Sequence, residues 1–137
     1  MQGNNRRRER EDRIRKKINK FSSLVMNNYD CSMTASEDAI TFEIGDLLVR
    51  LQEVKPGQFV FLTPRTGNNF YTAQRFNTRV ETTNYNIDKI GPNELFRKFQ
   101  LFVNLSLKNE FPDEFQQIRD NVEQNLNNNR HNSRGHN

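Results

Sequence analysis

The sequence predicts an α+β domain: an N-terminal basic amphipathic helix, a five-stranded antiparallel meander and two C-terminal helices packed on one sheet face. Two observations support this class. Apolar residues recur every three or four positions near both ends of the chain, as in helices, but every second position in the middle, as in strands. Turn sequences rich in Gly, Pro and Asn separate the strand-like runs.

The first helix is predicted over residues 6–26. Its apolar residues are spaced by four, three and four positions, which places them on one face: Ile14, Ile18, Phe21 and Val25. We expect the C-terminal half of this helix to dock on the core and its Arg-rich start to extend into solvent. Asn27-Asn28 and the Ser/Thr-rich residues 32–36 are expected to end it.

The middle of the chain predicts five strands. Residues 40–44 and 47–51 alternate apolar and polar side chains around Gly45-Asp46, which suits a type II′ hairpin turn. If Ile44 pairs with Leu47, the apolar faces of both strands coincide. Lys55-Pro56-Gly57-Gln58 predicts a type II turn before a third strand at residues 59–63. Residues 70–76 and 79–87 are expected to form the last two strands.

Two helices follow Pro92, a residue that is tolerated in the first turn of a helix. Apolar residues cover much of the circumference over residues 95–107, which indicates the central core helix. Phe111-Pro112-Asp113 is expected to end it. The last helix carries an apolar stripe spaced by three, four and four positions: Phe115, Ile118, Val122 and Leu126.

The length of 137 residues and the hydrophobic content of 33% predict one folded unit with polar ends. We assign residues 1–13 to a basic, flexible arm and residues 14–126 to a single α+β domain. Residues 127–137 are rich in Asn and are predicted to form a disordered tail.

The single cysteine favours an intracellular location, cytoplasm or nucleus, because one thiol cannot form an intrachain disulfide. No apolar stretch approaches the roughly 20 residues that span a bilayer, so no membrane span is expected. The N-terminus also lacks the apolar segment of a signal peptide.

Enzyme motifs are absent from the sequence, which predicts a non-enzymatic protein without catalytic residues, cofactor or metal site. The chain has no P-loop, no G-x-G-x-x-G and no H-E-x-x-H motif. Both histidines, His131 and His136, lie in the final seven residues, where nothing rigid would orient them for acid–base chemistry. Cys31 has no histidine partner in the expected folded region and is interpreted as a structural residue.

The charge distribution is the strongest functional signal. Residues 1–20 contain nine basic and three acidic groups, whereas the remaining 117 residues contain 12 basic and 14 acidic groups. Such a basic segment is typical of phosphate binding, and arginine also stacks on unpaired bases. The predicted phosphate contacts are Arg6, Arg7, Arg8, Arg10, Arg13, Arg15, Lys16, Lys17 and Lys20. The alternatives are a solvated helix start with internal ion pairs, a nuclear localisation signal, or binding to an acidic protein or membrane surface.

A second basic and aromatic set is expected on the sheet. If Val54 faces Phe59 across the Pro-Gly turn, then Arg50, Phe59 and Phe61 share the face opposite the core. By alternation, Tyr71 and Arg75 share a face of the fourth strand. Aromatic rings beside arginines on an open sheet would form a stacking platform for unpaired bases. The alternative is that the helices or a second subunit cover Phe59 and Phe61.

The sequence therefore supports two functional hypotheses. The first is a nucleic-acid-binding protein that acts as an oligomer and binds RNA in preference to DNA. The second is a structural or interaction subunit of a larger complex, with the basic arm as a targeting or docking signal. Two open sheet edges and apolar surface in excess of what one small sheet needs favour a homo-oligomer or a complex under either hypothesis.

Overall fold

The computed structural model describes residues 2–63 and 85–135 of the chain. Strands that are consecutive in the chain are neighbours in the sheet, and every pair is antiparallel. The predicted α+β fold with a five-stranded meander is confirmed. The elements in order are α1 (Gln2–Asn28), β1 (Ser32–Ala35), β2 (Ala39–Ile44), β3 (Leu47–Lys55), β4 (Gln58–Leu62), β5 (Tyr85–Asn86), α2 (Pro92–Glu110) and α3 (Pro112–Gly135).

Two glycine turns set the register of the central hairpins. Gly45 has a φ of 59°, and Ile44 pairs with Leu47 as predicted, so the apolar faces of β2 and β3 coincide. Gly57 has a φ of 78° at the second central position of the Pro-Gly turn. A Cβ atom there would also lie 3.1 Å from Arg10 Nη2, a tight contact that would displace the arginine side chain slightly.

The strands differ from the prediction at β1. Ser32–Ala35 pairs with β2, although these residues were expected to end the first helix. All four side chains are exposed, so no apolar alternation marks this strand in the sequence. The predicted strand at residues 70–76 lies outside the described residues. Residues 79–84 of the predicted strand at 79–87 lie outside them as well.

The core is one cluster between the three helices and one face of the sheet. Phe99 of α2 lies at its centre, with its ring centroid 5.5 Å from that of Phe21, 5.4 Å from Phe42 and 5.7 Å from Phe61. Burying a phenylalanine contributes about 1.5–3 kcal/mol, so these four rings make a large favourable contribution that helps to offset the loss of chain entropy. The expected role of α2 as the central core helix is confirmed by its seven buried residues.

The predicted pairing of Val54 with Phe59 is wrong. A register shift between Glu53 and Lys55 leaves Val54 without a partner, and Phe59 pairs with Glu53 instead. Phe59 and Phe61 therefore lie on the core face, where they are 7% and 0% exposed. The alternative in which the helices cover both rings is correct.

The terminal helices extend into both segments that were predicted to be flexible or disordered. α1 begins at Gln2, within the expected arm, and α3 continues to Gly135, within the expected tail. Asparagine side chains join the two helices, since Asn125 Nδ2 and Asn129 Nδ2 donate to Asn28 O and Asn28 Oδ1, each at 2.9 Å. Among the described residues, no helix is long and apolar enough to cross a membrane.

Candidate nucleic-acid interface on the first helix

α1 is positioned by its apolar stripe. Phe21 and Val25 are fully buried, and Ile14 and Ile18 pack against the same core cluster. At about 100° per residue, the face opposite this stripe carries four exposed basic side chains within about 80° of the helix circumference. We call this set the cationic face; it consists of Arg6, Arg13, Lys16 and Lys20.

Arg10 anchors the N-terminal half of α1 to the sheet. Its Nε lies 3.2 Å from Asp88 Oδ2, and its Nη2 donates to Pro56 O at 3.3 Å. These bonds hold the guanidinium at the β3–β4 turn and at the residues that follow β5. Arg10 was predicted to contact phosphate, but the structure places it against the protein's own body.

Lys17 is a second anchor. Its Nζ donates to Ile87 O at 2.6 Å, and the residue is half-buried. A charge-assisted bond to a backbone carbonyl contributes more than a neutral one. Lys17 and Arg10 together fix α1 on the side that faces β5.

Arg7 and Arg15 pair within α1. Arg7 Nε lies 3.6 Å from Glu11 Oε1, and Arg15 Nη1 lies 3.8 Å from Asp12 Oδ1. Both pairs are well exposed, and such pairs contribute little to stability because water and salt screen them. A phosphate can displace either carboxylate at small cost.

Among the described residues, no carboxylate pairs with the basic groups of the cationic face. Its four side chains and Arg8 make no ion pair or hydrogen bond within the part of the chain that the structure describes. Lys16 and Lys20 are four residues apart, and like charges at this spacing destabilise a helix by about 0.2–0.5 kcal/mol. Arg6 and Lys20 are separated by about 21 Å along the axis at 1.5 Å per residue. The arrangement suits a polyanion that extends along the helix.

Among the described residues, Arg50 does not share a sheet face with Phe59 and Phe61, as the stacking platform required. Arg50 is on the outer face and donates from Nε to Thr41 Oγ1 at 3.2 Å. Phe59 and Phe61 are on the opposite face, inside the core, because of the register shift in β3. Tyr71 and Arg75 lie outside the described residues.

Within residues 2–63 and 85–135, no cluster of three or more His, Cys, Asp or Glu side chains could hold a metal ion. Burial, with a smaller effect of Asp30, raises the pKa of the Cys31 thiol to about 11. Its Sγ lies 3.6 Å from Met26 Sδ. The thiol is therefore protonated at neutral pH.

The sequence reasoning missed the division of the basic residues into anchors and exposed groups. A helical projection contains the signal, because Arg10 precedes Ile14 by four residues and Lys17 precedes Phe21 by four. Side chains at these positions flank the apolar stripe and can reach the sheet. Comparisons with protein-family models, with curated proteins and with solved structures found no match to this chain.

Proposed function

We propose that this chain is a non-enzymatic, intracellular nucleic-acid-binding protein that binds RNA in preference to DNA and acts as an oligomer. The observation that carries the proposal is the cationic face of α1: four exposed basic side chains on a helix held in place by other residues. Phosphates that bind there release condensed counterions, which provides affinity without sequence preference.

Two further features support this proposal. The anchored helix presents its charges in a fixed arrangement, so binding does not have to order the segment first. Six of the nine basic residues between positions 6 and 20 are arginines. Guanidinium groups can stack on unpaired bases in addition to pairing with phosphates, which favours RNA with single-stranded regions.

The test is fluorescence anisotropy at low salt with single- and double-stranded RNA and DNA of equal length. The variant R13Q/K16Q/K20Q removes three charges of the cationic face. Its matched control, K55Q/K89Q/K108Q, removes three exposed charges elsewhere. We expect the first variant to lose at least about tenfold in affinity, which corresponds to 1.4 kcal/mol, and the control to lose much less. Equal losses in both variants would contradict a localised interface.

A second candidate function is that of an interaction subunit in a larger complex, with the basic segment as a targeting or docking signal. Leu101 and Leu105 of α2 favour it, since they are 64% and 55% exposed and lie one turn apart on the side opposite the core. Exposed apolar residues in a helical row are typical of surfaces that pack against a partner.

Sedimentation velocity tests this second function. It predicts salt-insensitive self-association or assembly that the variant L101S/L105S abolishes. The control V54S changes another exposed apolar residue, which is 47% exposed on the sheet, and should leave assembly intact. A monomer at all concentrations and no change in the variant would remove the support that these leucines give.

A further inference from the structure

A half-open cavity of about 820 Å³ lies between α1 and the end of the sheet where β1 turns into β2. Its floor is apolar. Ile14 and Ile18 of α1 contribute one side of this floor, and Ile40, Leu51 and Phe59 of the strands contribute the other. The cavity is within the range of about 300–1,000 Å³ that is usual for small-molecule sites.

The two walls of this cavity have opposite charge. The wall formed by α1 is basic on balance, since it carries Arg7 and Arg15 together with one acidic residue, Glu11. The facing wall carries Glu37 and Asp38 from the β1–β2 turn and Glu53 from β3. Arg10 also lines the helix wall, but Asp88 and Pro56 already hold its guanidinium.

Both walls have groups that a ligand can use. Arg7 and Arg15 are held only by exposed contacts within α1, to Glu11 at 3.6 Å and to Asp12 at 3.8 Å. On the acidic wall, Glu37 and Asp38 are exposed, and their carboxylates have no polar partner among the described residues. Glu53 Oε2 accepts from Gly57 N at 3.0 Å, which fixes that carboxylate at the rim.

We propose that this cavity binds an unpaired nucleotide of an RNA strand. A phosphate fits the arginine wall, because the guanidinium fork matches phosphate oxygens. The base lies over the apolar floor, with its polar edge and the ribose hydroxyls toward the acidic wall. An ionised carboxylate only accepts hydrogen bonds. The site therefore favours bases that expose an amino group, which cytosine and adenine have and uracil lacks.

This inference rests on the proposed function but uses different residues. The cationic face provides affinity that does not depend on sequence, whereas the cavity adds a preference among bases. Ile14 and Ile18 line the cavity and the cationic face lies opposite them on α1, so a strand that uses both sites must pass around the helix.

The test measures anisotropy with labelled octamers of cytidine, adenosine and uridine at one salt concentration. We expect the wild type to bind the cytidine and adenosine octamers about tenfold more tightly than the uridine octamer, equivalent to 1.4 kcal/mol. The variant E37Q/D38N should reduce this ratio to less than about threefold. The control D30N/E43Q makes the same charge change at exposed positions that do not line the cavity, and it should keep the ratio.

A second variant, A35W, places a large side chain at an exposed residue of the cavity lining. It should lower the affinity for the cytidine octamer to that for the uridine octamer. Free cytidine monophosphate should bind much more weakly than the octamer, and equal affinity per nucleotide would contradict a strand as the ligand.

Two outcomes separate this inference from the proposed function. Equal affinities of the wild type for all three octamers, with binding that still weakens as salt rises, would overturn the cavity site and leave the proposed function standing. If no octamer binds at low salt, both fail.

Discussion

Arg10 and Arg13 lie one turn apart on α1 and carry the same charge, but their surroundings differ. The guanidinium of Arg10 contacts Asp88 and the carbonyl of Pro56, whereas Arg13 lies about 60° further around the helix, away from the apolar stripe, and is exposed. The position of each residue relative to the apolar stripe decides whether its side chain reaches the rest of the protein. Arg10 is paired within the protein, with Asp88, and Arg13 is available to an external anion.

Glu114 is the carboxyl group whose ionisation the fold shifts among the described residues. It lies in the first turn of α3 beside the β2–β3 turn, where a Cβ atom on Gly45 would be 3.3 Å from its Oε1. Burial raises the pKa of its carboxyl, and the negative charge of Asp46 and a side-chain hydrogen bond with Asp46 raise it further, whereas a backbone hydrogen bond at Asp46 partly offsets this rise. The folded state therefore binds this proton more tightly than the unfolded state does.

A raised carboxyl pKa contributes stability that is fully present below the unfolded pKa and is lost as pH rises through the folded value. We therefore expect E114Q to melt about 2 °C higher than the wild type at pH 7, since it removes a like-charge contact of a few tenths of a kcal/mol. The difference should vanish at about pH 3.5, below the usual pKa of glutamate. Thermal melts across pH measure it.

The control for this prediction is E43Q, which makes the same change at an exposed position on β2. Its melting temperature should follow that of the wild type at every pH. A pH-independent difference between E114Q and the wild type would show that packing, and not ionisation, distinguishes the two proteins.

The sheet face on which Phe59 and Phe61 lie could not be predicted from the sequence. The Pro-Gly turn was predicted correctly, and a regular hairpin from Lys55 and Gln58 would pair Val54 with Phe59. The structure instead leaves Val54 unpaired as a bulge. One extra residue moves every following side chain of β4 to the other face. A bulge leaves no distinctive pattern in the sequence, so the predicted platform could not be rejected before the register was known.

The contact between α1 and the sheet can be tested by comparing two adjacent lysines. K17M removes the hydrogen bond to Ile87 O, so we expect it to lower the free energy of unfolding by about 1–2 kcal/mol. K16M removes an exposed charge and should change stability by less than about 0.5 kcal/mol. Urea denaturation measures both.

For RNA binding we expect the opposite ranking, with K16M losing more affinity than K17M. K16M removes a member of the cationic face, whereas Lys17 is already bonded within the protein. If K17M weakened RNA binding more than K16M at a temperature where both are folded, the division of α1 into anchors and exposed groups would be wrong.

The junction of α1 and α3 depends on Asn28, which is 3% exposed. Its Nδ2 donates to Leu24 O at 2.8 Å, and its Oδ1 accepts from Asn129. N28A leaves these buried groups without their partner, so we expect it to cost about 1–3 kcal/mol in urea denaturation. N27A changes the exposed neighbour and should be close to neutral. Equal effects of the two variants would argue against the asparagine junction.

Elements with a strong apolar period were predictable, and the others were not. α2 and the β2–β3 hairpin follow directly from their spacing, and both are confirmed. β1 is held by backbone pairing alone, so its exposed side chains show no period. The Asn-rich end of α3 has a polar composition and no apolar period, whereas in the structure Asn125 and Asn129 join α3 to α1 through side-chain amides.

At the scale of the whole molecule, one shared core explains how the cationic face is presented. All three helices contribute to the same cluster on one side of the sheet. The buried stripe of α1 faces this cluster, so the opposite side of the helix must face outward. The charge asymmetry was evident from the sequence, and the docking of α1 shows which basic residues are bonded within the protein and which are exposed.

The salt dependence of RNA binding tests the central claim most directly. Log K should fall linearly with log salt concentration, with a slope of about −0.7 for each phosphate contact on a single strand. The four side chains of the cationic face predict a slope of about −3 for the wild type, and R13Q/K16Q/K20Q should reduce it to about −1. A wild-type slope near zero, or a slope unchanged in this variant, would contradict the account.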